Sequence, residues 1–90
     1  MKEIREHCVT DDAKQQYDNM ISACPWAEAE SAFVVVIEDD SSNFYEVVGC
    51  GTTRTNVKPA LRAALKRLKN YGTWAQVGLL HGGRTVSWVL

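Results

Sequence analysis

Ninety residues, 46% hydrophobic and 23% charged, suit one globular core and exclude a second core or a long disordered tail. The formal net charge of −1 hides a division along the chain. All eleven acids lie between Glu3 and Glu46, where only three cations oppose them and leave −8, whereas every charged residue after Glu46 is one of seven Lys or Arg. A split of this kind points to an interaction surface, unless the two halves face each other and neutralise.

The chain opens on a charged lead-in, residues 1–9, without a clear period. Thr10 suits a helix N-cap, with Asp11 and Asp12 complementing the positive end of the helix dipole. Ala13, Gln16, Tyr17, Met20 and Ile21 then recur at helical spacing, and Pro25 ends this helix near Ala23. Residues 25–31 are a connector whose Trp26 is expected to tuck against the core. Ala32 to Ile37 is dense in β-branched residues and apolar at both parities, which predicts a strand covered on both faces. Glu38 to Asn43 is a polar turn, and Phe44 to Cys50 returns as the second strand of a hairpin.

A long helix follows, over 57–71. Val57, Ala60, Leu61, Ala64, Leu65, Leu68 and Tyr71 form its apolar stripe, while Lys58, Arg62, Lys66 and Lys69 line up on another side. Asn56 as cap or Pro59 in the first turn marks its start, and Gly72 is expected to close it in a left-handed conformation. The last segment reads as a hairpin about Gly82-Gly83, with His81 opposite Arg84, Leu79 opposite Val86 and Val77 opposite Trp88. Ala75, Val77, Leu79, Val86, Trp88 and Leu90 then form its core face.

The predicted architecture is one α+β domain over 1–90, in the order α-β-β-α-β-β. Its four-stranded antiparallel sheet has order 2-1-3-4, because only that order puts the doubly apolar first strand inside. With both helices packed on one face, Val34, Val36, Trp74, Leu80 and Val89 would leave an apolar patch on the other. Such a patch calls for a second copy of the chain or for a partner, unless the first helix crosses to that face and buries it with Tyr17, Met20 and Ile21.

Chemistry is sparse. Cys8, Cys24 and Cys50 are odd in number and widely spaced, so neither a disulfide framework nor a zinc site is expected. His7 and His81 stand in no pattern with a nucleophile. Gly49-x-Gly51 precedes a helix but lacks the third glycine of a dinucleotide fingerprint and the GK[ST] of a P-loop. We therefore expect no enzyme, no metal and no cofactor. The charged start is not a signal peptide, and the longest apolar run falls short of the ~20 residues that span a membrane. That predicts a cytoplasmic protein with no membrane partner.

Three resemblances bear on function. GCGTTRTNVKPALRAALKRL resembles the closing segment of a double-stranded-RNA-binding domain, through Gly49, Gly51, Arg54, Lys58, Ala63 and Ala64, and so implies phosphate contacts from the helix start. Residues 33–65 resemble HicB-type antitoxins, through Phe33, Glu38, Asp39, Tyr45, Val47, Gly49, Cys50, Thr52, Ala60, Leu61 and Leu65. The hairpin-helix-hairpin format of 32–90 is similar to small phage-encoded anti-CRISPR proteins, a likeness of architecture that transfers no site residues. It implies a non-catalytic inhibitor in the host cytoplasm that docks on a larger protein or ribonucleoprotein complex. The candidate contacts are Glu38, Asp39 and Asp40 as a phosphate mimic, and Arg54, Lys58, Arg62, Lys66 and Lys69 as a basic surface. The alternative is a nucleic-acid-binding module, or a HicB-like antitoxin, acting through the basic helix.

Overall fold

The computed structural model describes the backbone of residues 3–82 and 84–89, and the side chains of residues 4–82 and of Val86. Two helices come first, α1 (Glu3–His7) and α2 (Asp11–Ala23). The hairpin of β1 (Phe33–Glu38) and β2 (Phe44–Gly51) leads to α3 (Lys58–Arg67), and β3 (Gln76–His81) and β4 (Arg84–Val89) end the chain. The strands are ordered β2-β1-β3-β4 with every neighbouring pair antiparallel, so the class and strand sense follow the expectation.

The helices do not share a face. Val34 and Val36 pack with Ile4, Ala13, Tyr17, Phe44, Val47 and Leu80 beneath α1 and α2, and Met20 and Ile21 border that cluster. On the opposite face Val35 and Ile37 pack with Val57, Ala64, Val77 and Leu79, bordered by Ala60, Leu61, Leu65, Leu68 and Tyr71. β1 is thus the middle of three layers, and Val34 to Ile37 are all 0% exposed. Among the described residues the expected patch does not form, because α1 and α2 cover Val34, Val36 and Leu80. Val34, Val36 and Leu80 belong to the core and are no interface, while Trp74 is half exposed. The side chain of Val89 lies outside the described residues.

Local chemistry explains the boundaries. The Thr10 hydroxyl accepts from Ala13 N–H at 3.0 Å and caps α2. Residues 3–7 form a helical turn instead of a plain lead-in, because Ile4 and Cys8 anchor it in the core at 1% and 4% exposure. Pro25 starts a 3₁₀ turn, Pro25–Glu28, in which Ala27 is buried and Trp26 points outward, so Trp26 is not the anchor expected. Asn56 does not cap α3: Val57 takes that position without a side-chain bond, and Asn56 instead bonds Thr52 and Thr53 in the preceding loop, while Pro59 sits in the first turn as expected.

Beyond Arg67 the chain tightens into a 3₁₀ turn, Leu68–Asn70, and then becomes extended at Tyr71. Gly72 has no left-handed conformation. A Cβ there would stand 2.7 Å from the Trp74 indole nitrogen, so the glycine is there to admit the ring.

Gly49 and Gly51 let α3 lie close on β2. A Cβ on Gly49 would meet that of Ala60 at 2.8 Å, and one on Gly51 would meet Asn56 and Val57 at 2.9 Å. In the last hairpin His81 does face Arg84, and Gly82 has the left-handed φ of 64° that a two-residue turn requires. Gly83 lies outside the described residues. A bulge then shifts the register, so that Leu79 faces Ser87 and Val77 faces Val89. Val86 is the extra residue and is exposed, not a core residue. The side chain of Trp88, and Leu90 altogether, lie outside the described residues.

Candidate binding surface

The outer face of α3 carries Lys58, Arg62 and Lys66, all exposed and each four residues from the next. One helical turn separates neighbours, so the cations stand about 6 Å apart along the axis. Lys69 continues the series in the 3₁₀ turn, and Arg54 lies in the loop before the helix with its guanidinium 5.5 Å from the centre of the Phe33 ring. α3 has no acid in its first turn and two cations, Lys66 and Arg67, in its last, where they favour the negative helix end. The described ion pairs are Arg5–Asp18 at 3.0 Å and Arg67–Glu46 at 3.2 Å. None of Lys58, Arg62, Lys66 and Lys69 takes part in either. The acids Asp11, Asp12 and Asp18 ride on α2, across the sheet. Arg5–Asp18 pairs α1 with α2 and Arg67–Glu46 pairs the end of α3 with β2, so among the described ion pairs no α2 acid meets Lys58, Arg62, Lys66 or Lys69.

The acidic turn is a different object from the one expected. Glu38 is 1% exposed, with its carboxylate over Gly78 and 3.4 Å from the Gln76 amide nitrogen. Asp39 holds the turn together. Its carboxylate accepts from Asn43 N–H at 3.0 Å, Asn43 Nδ2 at 3.0 Å, Ser41 N–H at 2.9 Å and the Tyr45 hydroxyl at 3.1 Å. These bonds, the Asn43 amide foremost, hold Asp39 below the ordinary carboxylate range. Of the three carboxylates, Asp40 is exposed. Three negative charges do not converge outward here, which corrects Glu38 as a contact residue and gives Asp39 a task inside the turn.

Sequence reasoning missed an aromatic group at the far end of α3. The Tyr45 and Trp74 rings meet edge to face with centroids 4.9 Å apart, and Tyr71 meets Trp74 at 5.8 Å and 87°. The Tyr71 hydroxyl donates to Glu46 at 2.7 Å, and burial, then this bond, push its pKa up to about 12. The signal for the group was present as three aromatics near turns. Its assembly depends on β2 returning beside the end of α3.

The thiols are quiet. Cys8 donates to Ile4 C=O at 3.2 Å, and burial raises its pKa. Burial, with Cys24 beside it, pushes Cys50 up to about 11, so this thiol stays protonated at neutral pH, the reverse of what a nucleophile needs. Among the described residues no three His, Cys, Asp or Glu gather closely enough to hold a metal ion. No described helix is long and apolar enough to cross a membrane. An open groove of about 360 Å³ runs past the outer edge of β2, lined by Gln16, Asn19, Met20, Val47, Val48, Gly49 and Arg67. Gln16 accepts from Val47 N–H there at 2.8 Å and so occupies part of the strand edge.

Compared with known proteins, the chain matches no family model, no curated protein and no solved structure.

Proposed function

We propose that this protein is a nucleic-acid-binding module whose contact surface is the outer face of α3 together with Arg54. The observation that carries the reading is the run of Lys58, Arg62 and Lys66, exposed at one-turn spacing and joined to no acid among the described ion pairs. A row of cations on a rigid helix suits a row of phosphates, and it leaves bound counterions to be released. A HicB-like role would use the same helix. Inhibition of a larger complex through a phosphate-mimicking turn has less support, since Glu38 is buried and Asp39 is engaged in its own loop. An inhibitor built on this fold would instead present its basic face to an acidic protein surface.

The test is fluorescence anisotropy with a labelled duplex at about 50 and 200 mM salt. Three phosphate contacts give a log–log slope of about −2.7, hence an affinity loss of about 40-fold over that range. Arg62→Glu with Lys66→Glu should abolish most of the binding and flatten the slope while leaving the circular dichroism unchanged. Binding that ignores both salt and the charge reversals sinks the reading. Failure to bind any nucleic acid, alongside α3-dependent capture of an acidic protein, returns the inhibitor.

A further inference from the structure

Resting on that reading, we infer that the nucleic acid is single-stranded and that Trp74 is the platform on which one unpaired base stacks. Trp74 is 51% exposed, yet it is not loose. Tyr45 and Tyr71 brace it edge to face, and its indole nitrogen lies so close over Gly72 that a Cβ there would stand 2.7 Å away. An aromatic ring held in one place by three neighbours, with half its surface open, binds a planar partner without first losing its own freedom.

Its position matches the charge. The basic series of α3 runs through Lys66 to Lys69, and the chain then turns through Tyr71 to Trp74, so the exposed ring follows the exposed cations within five residues of chain. Phosphate contacts alone do not distinguish strands from duplexes. Aromatic faces do, because a duplex has its bases stacked inside while a single strand offers them outward. The acids near this end are Glu46, bonded to Arg67 and Tyr71, Asp39, which accepts from its own turn and from the Tyr45 hydroxyl, the exposed Asp40 beside it, and Asp12, whose charge acts on Tyr71. Trp26, the other large exposed aromatic before β1, lies on the 3₁₀ turn that follows α2 and is not in this stretch of chain.

The experiment compares a labelled oligothymidylate of about a dozen nucleotides with a duplex of the same length, against the wild type, Trp74→Ala, Trp74→Phe and Arg62→Glu/Lys66→Glu. Trp74→Ala is expected to weaken oligothymidylate binding by about 5- to 100-fold and leave duplex binding within twofold. Trp74→Phe should recover most of that loss, and thermal melting should show all variants folded. Should Trp74→Ala change neither affinity while the α3 reversals change both, the stacking inference is overturned and the basic-face reading stands. Should Trp74→Phe fail to rescue, stacking is likewise rejected in favour of a structural role for the indole. Should neither probe bind in a salt-dependent way, the basic-face reading itself fails and takes the platform with it.

Discussion

At the scale of single residues, the acids with neighbours are the ones that set structure. Asp39 gathers its hydrogen bonds within one turn, close to Ser42, whose φ of 60° is the one positive value at a described residue other than glycine. Its pKa is lower folded than unfolded, so its contribution is present above about pH 4 and is lost as the pH falls through the folded value. Asp39→Asn should therefore lower the urea midpoint at pH 7, and the gap to the wild type should narrow as the pH falls below about 4. A gap that persists in acid means the turn is held by shape and not by charge. Tyr71 runs the other way. With its pKa raised from 10 to about 12, its stabilisation is present below pH 10 and is lost as the pH rises towards 12. Tyr71→Phe should flatten that alkaline decline in an equilibrium unfolding series, whereas an unchanged slope would separate the phenol from the effect.

At the scale of elements, the contact between β2 and α3 depends on glycine. Gly49→Ala forces its new methyl to within 2.8 Å of the Ala60 Cβ, which neither backbone can relieve alone. We expect a loss of about 1–3 kcal/mol by denaturant titration, as for other overpacked sites. A neutral result would mean that α3 slides freely on the sheet. β1 makes a stronger demand. Val36 is wholly buried beneath α2, and burying an unpaired carboxylate there should cost about 4 kcal/mol or more. Val36→Asp is thus expected to yield an unfolded monomer by light scattering and circular dichroism. A folded variant that only changes its oligomeric state would contradict the covered face. The edge of β2 is managed by side chains and the lead-in together. Val9 N–H bonds Phe44 C=O at 2.9 Å, and Thr10 donates to Tyr45 C=O at 3.2 Å, so less of the strand is open to another chain.

At the scale of the whole molecule, the sheet works as a divider between charges. The segment through Glu46 carries −8 yet sends the acids of α2 to one face, and α3 with its four cations covers the other. A chain whose net charge is −1 should therefore still bind a cation exchanger at pH 7 and low salt through that one face. Reversing Arg62 and Lys66 should bring it into the flow-through, and retention that survives the reversal would place the basic surface elsewhere.

Periodicity alone was enough for α2, both strands of the first hairpin and the apolar stripe of α3, because each repeats at its own period over several turns or pairs. It also sufficed for the antiparallel order of β1 between β2 and β3, since Val34 to Ile37 are apolar at both parities and need cover on both sides. What supplies that cover was left open. Tyr17, Met20 and Ile21 are as apolar in one placement as in another, and the path from Ala23 to Phe33 decides where they go. The short α1 was illegible because Ile4 and Cys8 are two anchors in a charged run, too few to make a period. The bulge at Val86 escaped because alternation continues smoothly through it on paper. The candidate site divides in the same way. Four-residue spacing placed the cations of α3 on one face from the sequence alone, since the side chains of one helix need no other element to align them. The burial of Glu38, the engagement of Asp39 and the bracing of Trp74 depend on contacts between strands and turns distant in the chain, and those only the tertiary structure decides.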